Sequence, residues 1–509
     1  MSVAPQEPMR PPAAGDRGEH ELQLVPRPEA ANMRWRTRLA GNLAWNVASD
    51  AAMRGTSLWM AFACARALPV SGFGRYAFAL ALTQYVWLAG DAAVNSAYAT
   101  RELARARGAQ EPGAAALGGL FWSARMLAAL ALSVVSGLAL LAWPAPVEQK
   151  LAIGGAMIFF LTYSAFADWA LRAAEDFRGL ALANITGAVA LVAGTLLVLP
   201  RFPTPAMAAL LWSSSFACAA LVATPRLLRR GVIARPQQGF MPAWRTHAGR
   251  SAVYSLGAVA AIGCAQSPVL LVGAFGDAQA VGLFASGYRL LIAMIGVFSV
   301  LWWPLFPILA RSRPDSRTFI DALSSLTGMM FLVSVPATLA LTLWPREILT
   351  ALYGARYAGG ADALRVGALA LPLYTASGLF EQACLAVGGE AVRARVNLVA
   401  LALMVGASAV LVPRYGSVGA AATLPMAFAL NCVVYLVTLR RVLPKRAMAH
   451  GARGALLLSA ALGVVWGVAR VLAWPAIPVL ITGGVLYAVL AFVFRLVPLP
   501  ARFQPGAAS

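Results

Sequence analysis

Ionised side chains interrupt several otherwise apolar stretches of this sequence: Asp50, Arg54, Asp91, Arg125, Arg289 and Glu381, with Asp168 nearer the end of one. A charge at the centre of a bilayer costs about 2.5 to 3.5 kcal/mol on insertion scales, so each of these groups needs a partner, water or a task. The guanidinium fork matches phosphate and other acidic groups, which makes Arg54, Arg289 and Arg125 candidates for holding an anionic substrate in a cleft. The carboxylates Asp50, Asp91 and Glu381 then either hold those arginines in place or bind a coupling proton or cation. Asp50 and Arg54 lie four residues apart, on one face of a helix, where they can pair. The competing reading is a set of structural ion pairs stitching helices together. Arg125 and Asp168 lie within a few turns of an interface and could also reach water by snorkelling.

Other chemistries are poorly served. Lys150 and Lys445, the only two lysines, are followed by Leu and Arg, so no GxxxxGK[ST] phosphate loop exists and transport cannot be driven by an ATPase within the chain. The three histidines (His20, His247, His450) fall in expected tail or loop, and the five cysteines lie in apolar runs without a CxxC pair. No metal or cofactor is expected. The first outer loop, 67–75, contains no Asp or Glu, which removes the acidic pair expected there of a membrane-embedded glycosyltransferase or polymerase.

The elements that carry these charges follow from composition. Hydrophobic residues make up 60% of the 509-residue chain and charged residues 12%, against about 25% charged in an ordinary soluble domain. Runs of about twenty apolar residues predict about fourteen membrane helices near 40–64, 76–100, 119–142, 150–170, 179–199, 205–225, 251–274, 281–308, 319–344, 363–388, 392–412, 417–439, 454–473 and 476–497. The expected class is therefore an all-α polytopic membrane protein. Residues 1–33, polar and without the apolar core of a secretory leader, read as a disordered cytoplasmic tail.

With the N-terminus inside, roughly 29 of the 41 basic residues fall on the cytoplasmic side, so both termini are expected there. The net charge of +21 is then a topological signal directed at anionic lipid headgroups, and nucleic acid is not an expected partner. The longest connections are the basic stretch 225–250, holding Arg226, Arg229, Arg230, Arg235, Arg245 and Arg250, and the outer loop 345–362.

An internal echo divides the spans. Asn184 is followed after fifteen residues by Pro200-Arg201-Phe202, and Asn397 after fifteen by Pro413-Arg414-Tyr415. Gly72-Phe73 and Gly282-Leu283 repeat at a similar offset of about 210 residues, six spans, which predicts two lobes of the same orientation related by an axis along the membrane normal. The expected domains are an N-lobe at 34–228, a basic linker at 229–250, a C-lobe at 251–446, two added spans at 447–498 and a tail at 499–509. Between the lobes a V-shaped cleft is expected, with its substrate site near the midplane.

Three stretches resemble the Wzx-type polysaccharide and O-antigen flippases of the multidrug/oligosaccharidyl-lipid/polysaccharide exporter superfamily. They are Gly72-Phe73-Gly74-Arg75-Tyr76 through Asp91 to Thr100-Arg101-Glu102-Leu103-Ala104-Arg105; Ala280-Val281-Gly282-Leu283-Phe284 through Tyr288-Arg289-Leu290 to Phe306-Pro307; and Tyr353-Gly354 through Tyr357-Ala358-Gly359, with Asn397 to Gly419 downstream. The resemblance covers most of residues 35–440 and places an arginine in the helix of Arg289. It implies a flippase, not an enzyme, that moves an undecaprenyl-diphosphate-linked oligosaccharide across the bacterial inner membrane for O-antigen, capsule or exopolysaccharide assembly. Polysaccharide polymerase and glycosyltransferases would be its companions. The alternatives are an ion-coupled multidrug or small-molecule antiporter of the same superfamily, whose cleft should suit cations, a polymerase or glycosyltransferase, and a scaffold without transport.

Overall fold

The computed structural model describes residues 29–235, 239–300, 309, 312, 316–440, 444–494 and 496. The two expected tails therefore fall almost wholly outside the described residues, as does the end of the expected eighth span, 301–308. The described residues divide between Ala44 and Trp45, and the contacts below all lie within 45–509.

The structure is all-helical among the described residues. The helices are α1 (Glu29–Ala67), α2 (Val70–Ala93), α3 (Ser96–Gly108), α4 (Ala114–Ala142), α5 (Val147–Met157), α6 (Phe159–Phe166), α7 (Asp168–Ala173), α8 (Phe177–Leu197) and α9 (Pro205–Arg229). They continue with α10 (Phe240–Phe275), α11 (Ala278–Val300), α12 (Arg317–Leu343), α13 (Pro345–Tyr353), a 3-10 segment (Ala355–Gly360), α14 (Ala361–Ala368), α15 (Ala370–Ala386), α16 (Glu390–Thr438), α17 (Lys445–Val471) and α18 (Ala476–Val493).

Eleven helical segments among the described residues are long and apolar enough to cross a membrane, or twelve with the bent α10 counted as one span. The expected fourteen is not reached, for two physical reasons. The 39-residue α1 is long enough but too polar, with Ser49, Asp50, Arg54, Thr56 and Ser57 in its middle. The 49 residues of α16 hold two expected spans, one on either side of a non-helical break at Gly416. Gly416 makes the break with φ +56°, and a Cβ on Gly419 would overlap the carbonyl oxygen of Leu411, so the chain is sharply kinked there. Only glycine enters that left-handed backbone region without steric cost.

Local chemistry sets the ends. Asn95 caps α3 by accepting from the N–H groups of Ala97 and Tyr98, and Thr204 caps α9 ahead of Pro205 at its first position. Asp176 caps α8 through the Gly179 N–H (3.0 Å) and pairs with Arg226 and Arg230. Burial works against ionisation of this carboxyl, yet the bonds and charges from Arg226, Gly179 and Arg230 prevail and hold its pKa below the usual carboxylate range.

Two of the expected connections are structured. Residues 240–250, read as linker, are the opening turns of α10. Trp244, His247, Ser251 and Tyr254 form a 3-4-3 stripe that docks on the α2–α3 corner through Ala93 O, Tyr98 Oη, the Asn95 N–H and Arg101. Residues 345–362, read as an outer loop, form α13 and the 3-10 segment, because Tyr353 and Tyr357 are fully buried and need a fixed backbone behind them.

The corner carrying that stripe, with Arg101, Arg105, Arg226 and Arg230, is the basic end of the bundle. At the opposite end α2 and α11 cross closely enough that a Cβ on Gly74 would overlap Ala278 O, and one on Gly282 would overlap Val70 O. The second sequence echo lies at this crossing. Phe73 packs edge-on to Tyr357 (5.7 Å between centroids) and Phe62 to Tyr353 (5.0 Å), while the Tyr357 hydroxyl donates to Ala65 O at 3.1 Å. These contacts form a seal.

Valine at position 74 should wedge the crossing apart. In a variant retaining only Cys64, which is fully buried behind the seal, a polar maleimide should fail to label purified protein and should label the Gly74→Val form readily. Equal resistance in a folded Gly74→Val protein would show that the crossing does not hold the seal.

Candidate functional site

Beneath the seal lies a cavity of about 330 Å³ walled by four helices: α1 (Met53, Arg54, Ser57), α2 (Ala77, Leu80, Gln84), α10 (Gln266, Val269) and α11 (Tyr288, Arg289, Ile292). Its α2 wall runs from Ala77 to Gln84, roughly 10 to 21 Å from the sealed end of that helix at 1.5 Å per residue, which is mid-depth in a hydrocarbon core of about 30 Å. The walls come from the first two helices of each half of the sequence echo.

The two lining arginines are electrostatically unlike. Arg54 Nε lies 2.7 Å from Asp50 Oδ2, one turn back on α1, so its charge is largely offset. Its guanidinium rests against Gly296 of α11, where a side chain would collide with it. Arg289 has no carboxylate at ion-pair distance among the described residues. It sits instead on aromatic faces, 5.3 Å from the Tyr76 ring centroid and 6.0 Å from that of Phe73. Ring quadrupoles attract a cation by about 0.5 to 2 kcal/mol, much less than a counter-ion in a dry site, so Arg289 keeps most of its capacity for an anion. Phe73 also belongs to the seal, so the guanidinium touches the side chains that close the cavity.

Arg125 is a correction. Expected in the cavity, it is 1% exposed and away from it. Its Nη1 donates to Asp91 Oδ1 at 2.8 Å and to Val94 O at 2.7 Å, with the guanidinium over Trp87 at 5.5 Å. Asp91 also accepts from Asn95 Nδ2 (2.6 Å) and Ser96 Oγ (3.1 Å). This buried network splints the α2–α3 corner against α4. Glu381 is likewise outside the cavity, paired with Arg393 Nε at 2.6 Å across the turn between α15 and α16. Asp168 pairs with Arg172 at 3.5 Å on α7. Of the six residues singled out from sequence, the structure brings together Asp50 with Arg54, adds Arg289 across the same cavity, and sends the other three elsewhere.

Sequence reasoning passed over Gln84 and Gln266 and gave Tyr288 no role of its own, because an uncharged polar side chain in a span costs less than an ionised one and can be satisfied by a neighbour. The Tyr288 hydroxyl donates to Ala265 O at 2.6 Å, tying α11 to α10 along the cavity wall.

The structure is a polytopic all-helical bundle in which four helices enclose one mid-depth chamber. This fold is shared with solved structures of membrane transporters. The chain matches "Lipid II flippase MurJ, inward closed conformation" with a TM-score of 0.66 at 11% identity, over 89% of this chain and 99% of that one. It matches the eukaryotic MATE transporter AtDTX14 with a TM-score of 0.57 at 14% identity, over 83% and 99%. An inward-facing multidrug resistance MATE transporter of the MOP superfamily gives 0.55 at 14%, over 77% and 95%. No protein-family model and no curated protein matches the sequence.

Proposed function

We infer that the protein is a flippase that carries an undecaprenyl-diphosphate-linked oligosaccharide from the cytoplasmic to the periplasmic leaflet of the bacterial inner membrane. The observation that carries this reading is the Arg289 guanidinium, without a carboxylate partner among the described residues and facing a mid-depth cavity. An ionised group is retained at such depth where it serves a ligand. A positive cavity suits a diphosphate and repels the cationic amphiphiles expected of a multidrug antiporter.

With the basic end at the cytoplasm, the seal of Phe73, Tyr353 and Tyr357 closes the periplasmic side. Alternating exposure then requires the α2–α11 crossing to part while the α10 stripe holds the α2–α3 corner, and the reverse on return. Glycosyltransferases would supply the lipid-linked unit and a polymerase would consume it.

The test is leaflet-resolved labelling of lipid-linked sugar in cells depleted of this protein and lacking other carriers. Outward delivery should fall while the lipid-linked unit accumulates on the cytoplasmic leaflet. Unchanged delivery would remove the flippase reading.

A further inference from the structure

Two amides face each other inside the cavity. Gln84 of α2 and Gln266 of α10 are 182 residues apart, both half-buried, and Gln266 Nε2 donates to Gln84 Oε1 at 3.1 Å. Each primary amide carries two N–H donors and an oxygen with two lone pairs. Their mutual bond uses one donor and one lone pair, and neither side chain makes another hydrogen bond among the described residues. Three N–H groups and three lone pairs are therefore left at the wall of a chamber that also holds Arg289.

The chemistry of that unused capacity is selective. A phosphate only accepts, and Arg289 already provides for it. An acyl chain or apolar ring would leave the amides unpaired, which buried polar groups avoid. A cation would use the oxygens and be opposed by the neighbouring guanidinium. Adjacent hydroxyl groups, each both donor and acceptor, can satisfy amide N–H and C=O together. Gln84 lies about 21 Å along α2 from the sealed end, Gln266 about 14 Å along α10 and Arg289 about 17 Å along α11, so the three share one depth band and one ligand can span them.

We propose that Gln84 and Gln266 form a sugar-reading subsite that engages neighbouring hydroxyls of the ring nearest the phosphate held at Arg289. This rests on the flippase reading and adds the part of the substrate that the arginine cannot recognise. Hydroxyls bound there compete with the bond joining the two amides, so a loaded cavity loosens a direct tie between α2 and α10.

The experiment measures binding of two probes to the full-length protein in nanodiscs: heptaprenyl diphosphate carrying a disaccharide, and bare heptaprenyl diphosphate. Wild type should favour the sugar-bearing lipid by about tenfold, the worth of one or two neutral hydrogen bonds. The Gln84→Leu/Gln266→Leu protein should bind both lipids within about twofold of each other, with affinity for the bare lipid unchanged. A preference that survives in the Leu pair, or no preference in wild type, overturns the subsite while leaving the anion site standing. Failure of wild type to bind either lipid removes the flippase reading itself, and the subsite with it. If the Leu pair does not fold, Gln84→Asn decides: the shortened amide should reduce the preference, and an undiminished one overturns the proposal.

Discussion

Arg289→Gln should lower outward delivery of lipid-linked sugar by between about tenfold and a hundredfold at equal membrane abundance, the range expected when a charge-assisted bond of about 1.5 to 3 kcal/mol is lost. The substitution keeps a polar side chain of similar stem, two atoms shorter, and removes the charge and the fork. Stability should change little, since the folded protein forfeits contacts with the Tyr76 and Phe73 faces worth about 0.5 to 2 kcal/mol and no ion pair. Arg289→Lys should fall between, because a point charge holds a phosphate without bidentate geometry. Arg54→Gln should do less, since Asp50 already offsets much of that charge. Delivery rates for the three variants, normalised to immunoblotted membrane protein, check the order. A fully active Arg289→Gln protein would leave the cavity without its anion site.

Asp91→Ala should have the largest effect on the protein itself. It strands the Arg125 guanidinium, 1% exposed, with Val94 O as its remaining bonded acceptor. Removing one member of a buried pair costs about 3 to 5 kcal/mol, a large share of the 5 to 15 kcal/mol typical of folded domains. Little protein should reach the membrane, and what does should melt well below wild type. The double substitution Asp91→Asn/Arg125→Gln leaves no unpaired charge and should recover most of the abundance. It should also recover transport, because neither residue touches the cavity. Recovery of folding without transport would instead give Asp91 a task in ion coupling, and a stable Asp91→Ala protein would show that the network does not brace the α2–α3 corner.

The membrane class and the position of most spans were legible in the residues, because insertion depends on short-range, nearly additive apolarity along the chain. Where that signal is diluted it blurs: α1 is too polar by the same measure because one of its faces belongs to a chamber, and two expected spans lie in α16 on either side of the break at Gly416. The stretch 345–362 looked like a loop because burial of Tyr353 and Tyr357 is provided by α1 and α2, nearly three hundred residues away.

The charges were equally visible, but what each one faces was not. Asp50 and Arg54 lie one turn apart, so helix geometry alone was enough to pair them. Arg125 and Asp91 are 34 residues apart on different helices, and nothing local distinguishes a guanidinium aimed at that carboxylate from one aimed at a cavity, as Arg289 is. Gln84 and Gln266 acquire meaning only when α2 and α10 meet. Residue types along this chain determined that it lives in a bilayer and which side chains need a reason to be there. Which helix faces meet, a long-range packing outcome in which each contact depends on all the others, decided which of those side chains are braced in pairs and which are left facing the chamber.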